Sequence, residues 1–465
     1  MESIPNPSHI SEKPWRSPEK SAKPDSGQTA NKYIKLGTTV GLAVLFAALP
    51  FKHNKGIVYA SEILLAATFV LDLYINKSKK ILVETLKENP FTWIIAIYSA
   101  TALFSVFFSY NPLYSFKQFI YEILINVFLY YTALFLVIRG HTTVEKITRS
   151  LILTNILFLA VFFLQGLQWY IFPGHAFMST IHGSIKTHNV FETYSALTRW
   201  SNLFSYKTPS TYCLFFVALG FGVFFSSKSS FQVFKTITIS LFNLIVIVLS
   251  VLKAPIVAIC LTAICVCFLP FDTKRRLELF IAGSLIAALL IFIALFSPIS
   301  KGFIRGENLS AILHGKYSKS GSFGSRLHGY PLYVKHVLKH PFIGVGIGRR
   351  NIKKALPDLV KKTGFPHGHN VFLNTIVQQG IQSAIALLIF ILLKFKRGFR
   401  TLKELTVLDS AIGIYLSTYI IWLCMFWLRS SFDDMFRHNI STFYWVLAAF
   451  FTFCVMSQQQ EEKNG

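Results

Sequence analysis

The chain has 465 residues, 53% of them hydrophobic and only 14% charged, against roughly 25% charged in an ordinary soluble domain. One water-soluble globule is therefore excluded. The charge is one-sided, 46 Lys and Arg against 21 Asp and Glu for a net +25, which points to a lipid bilayer and to something anionic. With this hydropathy, nucleic acid is not the expected anion.

Residues 1–33, with Pro5, Pro7, Pro14, Pro18 and Pro24 among Ser and Lys, read as a disordered cytoplasmic tail. The first apolar run ends at Pro50 without a small-residue cleavage pattern, so it is read as a retained span rather than a signal peptide. Apolar runs long enough to cross a bilayer follow. Together they predict an all-α integral membrane protein of about twelve transmembrane helices, near 35–51, 56–75, 90–110, 116–138, 150–173, 209–227, 236–252, 255–271, 277–297, 371–393, 406–428 and 440–456. Around Lys253 and Pro255 the division is open between one kinked helix and two helices in a tight hairpin. Helices 1–9 fall in residues 34–297, helices 10–12 in 371–456, and 457–465 form a second tail.

Lys and Arg in the short loops set the orientation. Lys77, Lys79, Lys80 and Lys87, then Arg139, Lys146 and Arg149, then Lys274, Arg275 and Arg276, then Lys394, Lys396, Arg397, Arg400 and Lys403 all lie on one side. Both termini are thus placed in the cytoplasm. The six cysteines sit in apolar runs with no CxxC, so neither a disulfide framework nor a zinc site is expected from them. Three acids, Glu62, Asp72 and Glu122, fall inside apolar runs, each either near an interface or buried as a structural polar contact.

Two long loops lie on the opposite side, 174–208 and 298–370. The second carries thirteen Lys or Arg and only Glu307 and Asp358 as acids, a net +11. Loops this long escape the positive-inside rule, and such a cationic surface beside a bilayer attracts phosphate, either of headgroups or of a phosphorylated substrate. Within the loop, Tyr330, Tyr333, Val334, Val337 and Leu338 have helical spacing. Pro331 fits only a first helical turn and Pro341 ends the pattern, so a helix is predicted from about Tyr330 to His340. Arg326 then stands just ahead of its N-terminus, where free N–H groups favour an anion and a guanidinium adds a two-pronged donor. The alternatives are a headgroup pair or a turn cap.

The stretch Pro341-Phe342-Ile343-Gly344-Val345-Gly346-Ile347-Gly348 allows close backbone approach and is followed by Arg349 and Arg350. Lys353, Lys354, Lys361 and Lys362 read as a solvated face. Pro366-His367-Gly368-His369-Asn370 directly precedes an apolar run. Asn370 suits an N-cap. His369, at a helix N-terminus, is favoured as a neutral ring able to accept a proton, or serves as a capping residue. Two His at i and i+2 suit a metal, but no Cys and almost no carboxylate is at hand to complete a site, so no metal and no cofactor is expected; Asp433-Asp434 in the last loop prevents a flat exclusion.

The order of Arg326, then Pro-x-x-Gly-x-Gly at Pro341 to Gly346, then His369-Asn370, nine residues and Gly380 resembles the O-antigen ligase and O-antigen polymerase superfamily of bacterial envelope membrane proteins. The motif match covers about residues 324–383, and the topology agrees. The resemblance implies a glycosyltransferase-C-like fold with a large late periplasmic catalytic loop of short helices. It also implies metal-independent, inverting transfer of a glycan from undecaprenyl pyrophosphate at the periplasmic face of the inner membrane, with lipid A–core oligosaccharide as acceptor. By the same resemblance, His369 and Arg326 are catalytic. Arg199, Arg326, Arg349, Asn370 and Lys253 contact substrate. Two departures stand out: Ser383 sits where the family tends to have Gly, Thr or Tyr, and Lys253 where many members have Arg. Without the name, the few loop acids still leave fixed cations as the means of stabilising a departing pyrophosphate. A polymerase or protein-glycosylating relative, a lipid-linked glycan flippase and a non-catalytic scaffold remain the alternatives.

Overall fold

The computed structural model describes residues 24–51, 54–171, 208–227, 229–250, 252–265, 321–363, 365–405, 410–434 and 436–464, with scattered positions between 277 and 292. The chain is helical in these regions. The elements are α1 (Pro24–Ala48), α2 (Lys55–Ile75), α3 (Lys79–Glu88), α4 (Thr92–Phe107), α5 (Pro112–Ile138), α6 (Val144–Ile171), α7 (Thr208–Ser226), α8 (Ser230–Leu249) and α9 (Lys253–Cys265). Within the long loop come α10 (Gly321–Lys339), α11 (Arg349–Ala355) and α12 (Pro357–Thr363), and beyond it α13 (Val371–Gln379), α14 (Ile381–Glu404), α15 (Ala411–Phe432) and α16 (His438–Asn464).

Seven of the described helices, α2, α5, α6, α7, α8, α15 and α16, are long and apolar enough to cross a membrane. An eighth span results if α3 and α4, bent by 87° at their junction, are counted as one. The protein is thus a multi-pass helical membrane protein, while the count of about twelve is not reached among the described residues. The span expected near 277–297 and the loop 174–208 lie largely outside them. At Lys253 the chain is broken into two helices, α8 and α9.

The packing explains the order of burial. Helices α7 and α16 are buried over 89% of their apolar windows and α15 over 72%, whereas α2, α6 and α8 are buried over 39%. The first three form the centre and the others present apolar flanks such as Ile63, Leu153, Leu157 and Leu241 outward, as a bilayer permits and water does not. Aromatic rings fill the centre: Trp422 meets Phe215, Phe443 and Tyr444 at centroid distances of 5.8–5.9 Å, geometry that adds about 0.5–1.5 kcal/mol per pair beyond area. Buried polar side chains pair across helices, as Asn155 and Asn243 do through reciprocal amide bonds of 2.9 and 2.8 Å.

Four expectations are corrected. The first helix begins at Pro24, inside the stretch assigned to the tail; proline is compatible with a first helical turn, and α1 packs along α2. Lys394 is not a loop cation: it is fully buried, its ammonium 4.8–5.8 Å from the rings of Phe390, Phe91, Phe451, Tyr419 and Tyr130, which supply cation–π contacts in place of water. The run 371–393 is broken at Gly380, whose φ is +90°, so α13 and α14 are two helices. Finally, the helix expected at 330–340 extends from Gly321 to Lys339 with Pro331 inside it.

Candidate active site

The described part of the long loop, from Gly321, is built onto the end of the bundle where α15 finishes. Asn370 caps α13: its Oδ1 accepts from Leu373 N at 3.0 Å, and its Nδ2 donates to Ser431 O at 2.9 Å. Backbone hydrogen bonds from Val345 N to Val377 O (2.9 Å), Gly346 N to Gln378 O (3.0 Å) and Ile381 N to Pro341 O (2.8 Å) stitch the glycine-rich stretch to the end of α13. They satisfy the carbonyls and amides that the break at Gly380 leaves over. Two glycines are required here. A Cβ on Gly344 would overlap the Gln378–Gln379 peptide, and Gly346, at φ +101°, sits against Ser109, Ser115 and Asn351.

His369 occupies the turn before α13 with φ +47°, left-handed backbone that a non-glycine residue adopts at a cost. Its neighbours hold it there. Tyr330 Oη donates to His369 O at 3.3 Å and Tyr333 Oη to Phe365 O at 2.8 Å. The ring lies 4.5 Å from Phe365, edge to face, and 3.9 Å from His367. Burial raises the phenol pKa values of both tyrosines, that of Tyr333 to about 12, so they act as hydrogen-bond donors. His369 Nδ1 stands 3.5 Å from Asp433 Oδ1, with both side chains largely buried.

Arg326 is inside α10, not ahead of its N-terminus, so the helix-dipole reasoning does not apply to it. Two contacts extend the helix past Pro331: Gly329 lies against Phe365, and Arg326 Nη1 donates to Phe432 O at 2.7 Å. This brings the guanidinium to the residue preceding Asp433. Its Nε is buried with no hydrogen-bond partner among the described residues, a donor left over for an acceptor from outside.

Arg349 opens α11 and stands in the field of Glu122, Asp433, Asp434 and Arg437. Partial burial and the like charge of Arg437 draw its guanidinium below the usual value, and the three carboxylates oppose this. Asp434 is committed elsewhere, to Asn374 Nδ2 at 2.9 Å and Arg437 Nε at 2.5 Å. Next to it a small polar cleft is lined by Tyr98, Glu122, Gln378, Gln379 and Arg437. Glu122 enters it from a single π-helical turn, Ile120–Leu124, within α5, a distortion frequent at functional positions.

The structure therefore brings Arg326, Arg349, His369 and Asn370 to one end of the bundle. Lys253 is exposed at the start of α9, and Arg199 lies outside the described residues. Sequence reasoning does not connect Asp433 or Tyr330 to His369, nor Glu122 to Arg349. The visible signal for α13 was its polar positions Asn374, Thr375, Gln378 and Gln379, which repeat with helical spacing and mark a face turned away from lipid. Asp433 supplies the carboxylate that the long loop itself does not bring to the His pair. His367, His369 and Asp433 offer ligand atoms all within 4.8 Å of one another, so a carboxylate does complete the His-x-His pair.

These features define a multi-pass helical membrane protein with a cationic, histidine-bearing site at one end of its bundle. Residues 238–391 match the family model described as O-Antigen ligase. The match covers less than half of the chain and supports a likeness of this segment to the O-antigen ligase and polymerase superfamily. The matched region contains Lys253, Arg326, Arg349, His369 and Asn370, while Asp433 and Asp434 come from beyond it. A search of curated proteins returns no match.

Proposed function

We propose that the protein is an O-antigen ligase of the bacterial inner membrane. It would move a glycan from undecaprenyl pyrophosphate to a hydroxyl of lipid A–core oligosaccharide at the periplasmic face, with both termini cytoplasmic and a glycosyltransferase-C-like arrangement of its helices. The observation that carries this reading is the meeting of a phosphate-type donor and a proton acceptor at one helix end: Arg326 on Phe432 O and His369 facing Asp433.

In the proposed step, the acceptor hydroxyl oxygen attacks the anomeric carbon of the donor and the bond from that carbon to the pyrophosphate oxygen breaks, with inversion. His369 takes the hydroxyl proton, and Asp433 orients the ring and offsets the imidazolium charge. Arg326 and Arg349 hold the departing undecaprenyl pyrophosphate through charge-assisted hydrogen bonds, with Arg199 expected to join them. No step requires a metal.

The test is transfer by purified protein from lipid-linked glycan to lipid A–core, followed by a gel shift of the acceptor, with and without chelator. Transfer that survives chelation and disappears in His369→Ala supports the reading; binding of the donor with no transfer sinks it. A deletion strain separates the two reactions of the superfamily. Core lacking all glycan, with lipid-linked polymer accumulating, identifies a ligase; core still bearing one repeat identifies a polymerase.

A further inference from the structure

The turn that presents His369 also presents His367. The rings have centroids 3.9 Å apart, and the end of α15 sets Asp433 against them. The three come from two segments far apart in sequence, yet their ligand atoms all fall within 4.8 Å. We infer that His367, His369 and Asp433 form a site for a borderline divalent transition cation of the zinc class, and that its occupation switches off the transfer proposed above.

The chemistry of the donor set selects the cation. Two imidazole nitrogens and one carboxylate oxygen suit zinc, cobalt or nickel, whereas magnesium and calcium need more oxygen ligands than this turn provides. Zinc–nitrogen and zinc–oxygen bonds of about 2.0–2.2 Å in a tetrahedron separate ligand atoms by roughly 3.3–3.5 Å. His369 Nδ1 and Asp433 Oδ1 already stand 3.5 Å apart, so one edge of that tetrahedron is preformed and the other edges need only small side-chain adjustments. His367 and Asp433 are 7% and 5% exposed, a setting with little competing water. Three protein ligands leave a fourth position open, the pattern of exchangeable rather than purely structural zinc. Arg326 and Arg349 lie close by, and their repulsion keeps the affinity below that of a closed structural site.

Occupation conflicts with proton acceptance. An imidazole whose lone pair is held by a metal retains only an N–H, so it can donate but not accept a proton. A loaded site therefore removes His369 as the base and withdraws Asp433 from it. This inhibitory consequence rests on the functional reading above; the binding itself does not.

The experiment uses tag-free, full-length protein in detergent, stripped with chelator and titrated with Co²⁺ while its visible ligand-field absorption is recorded. Wild type is expected to bind one Co²⁺ per chain, displaced by Zn²⁺ but not by Mg²⁺. His367→Gln and Asp433→Asn, each first verified by size-exclusion profile and thermal unfolding, are expected to weaken binding at least tenfold. Equal affinity in wild type and both variants, or no absorption band in wild type, overturns the site. In the transfer assay, Zn²⁺ is expected to inhibit wild type with the midpoint of its binding curve, while the ratio of rates with and without Zn²⁺ stays near one in His367→Gln. Wild type that binds Zn²⁺ yet transfers at an unchanged rate overturns the switch. Absence of transfer in metal-free wild type speaks against the ligase reading, and the Co²⁺ titration still decides the site.

Discussion

The two ends of the bundle each hold an aspartate with a histidine and an arginine, and they use them differently. At the end where α5 finishes, Asp72 is fully buried. Its Oδ1 receives His141 Nε2 at 2.5 Å and Asn76 Nδ2 at 2.7 Å, while its Oδ2 receives Ser78 Oγ at 2.6 Å and Arg139 Nε at 3.1 Å. Asn76 in turn bonds Asn31 of α1 at 2.9 Å. Every carboxylate lone pair has a short internal partner, and the result is a clasp joining α1, α2 and the end of α5. At the other end, Asp433 and His369 stand 3.5 Å apart, and 15% of the His369 side chain remains exposed. Short, complete pairing makes a strut. Longer spacing with residual access leaves groups that a proton, a phosphate or an ion can still engage.

The comparison breaks most directly at His369. His369→Ala is expected to reduce transfer by about 10²–10⁴-fold, the usual contribution of a positioned base, with little change in thermal unfolding. A variant that unfolds many degrees earlier while each folded molecule still transfers normally would mean that this end is a second strut.

Asp72→Ala is expected to do the reverse. Removing the carboxylate leaves Arg139 and His141 facing a buried gap, and breaking a buried pair costs about 3–5 kcal/mol. Denaturant unfolding measures the loss, and the transfer rate per folded molecule should match wild type. An unchanged unfolding midpoint would remove the clasp from the list of structural contacts.

Arg326 sharpens the boundary between the two roles, because it both holds α10 to α15 through Phe432 O and offers a buried Nε. Loss of one charge-stabilising donor costs about 10²–10³-fold, so Arg326→Ala should lower transfer by that amount. Arg326→Lys should recover part of the rate, since it keeps the charge and loses the fork. A weaker affinity for the lipid-linked donor, with kcat nearly unchanged, would instead assign Arg326 to binding alone.

The sequence carried the membrane class, the spans at α2, α5, α7, α8, α15 and α16, and the cap at Asn370, because each depends on local composition or on a short-range hydrogen bond. His369 and Arg326 were legible through the motif order. What was not legible depends on contacts between distant segments. Asp433 lies 64 positions after His369, and no periodicity links a helix C-terminus to a turn so far away. The break at Gly380 was hidden because hydropathy averages over Asn374, Thr375, Gln378 and Gln379 together with the apolar residues of α14. The extent of α10 escapes the proline rule because the tertiary contacts of Arg326 and Gly329 offset one missing hydrogen bond. Lys394 reads as a loop charge in the sequence because the five rings around it come from α5, α14, α15, α16 and the N-cap of α4.

The smallest effect tests whether the site end is as firmly positioned as the clasp. Gly344 packs directly on the peptide between Gln378 and Gln379. Hydrogen bonds from Val345 N to Val377 O, Gly346 N to Gln378 O and Gly348 N to Gln378 Oε1 at 2.6 Å follow at once. Gly344→Ala must push this stretch away from α13 or strain it, at about 1–3 kcal/mol for overpacking. Because α13 begins at the Asn370 cap beside His369, the displacement should reach the site and lower transfer along with the unfolding temperature. Gly56→Ala is the control: it lies in α2 with nothing within 4 Å of the added methyl, and exchanging glycine for alanine in a helix is neutral or stabilising by up to about 1 kcal/mol. If Gly344→Ala behaves like Gly56→Ala in both measurements, the glycine-rich stretch does not position His369, and the cap at Asn370 with the tyrosine bonds from α10 must do so alone.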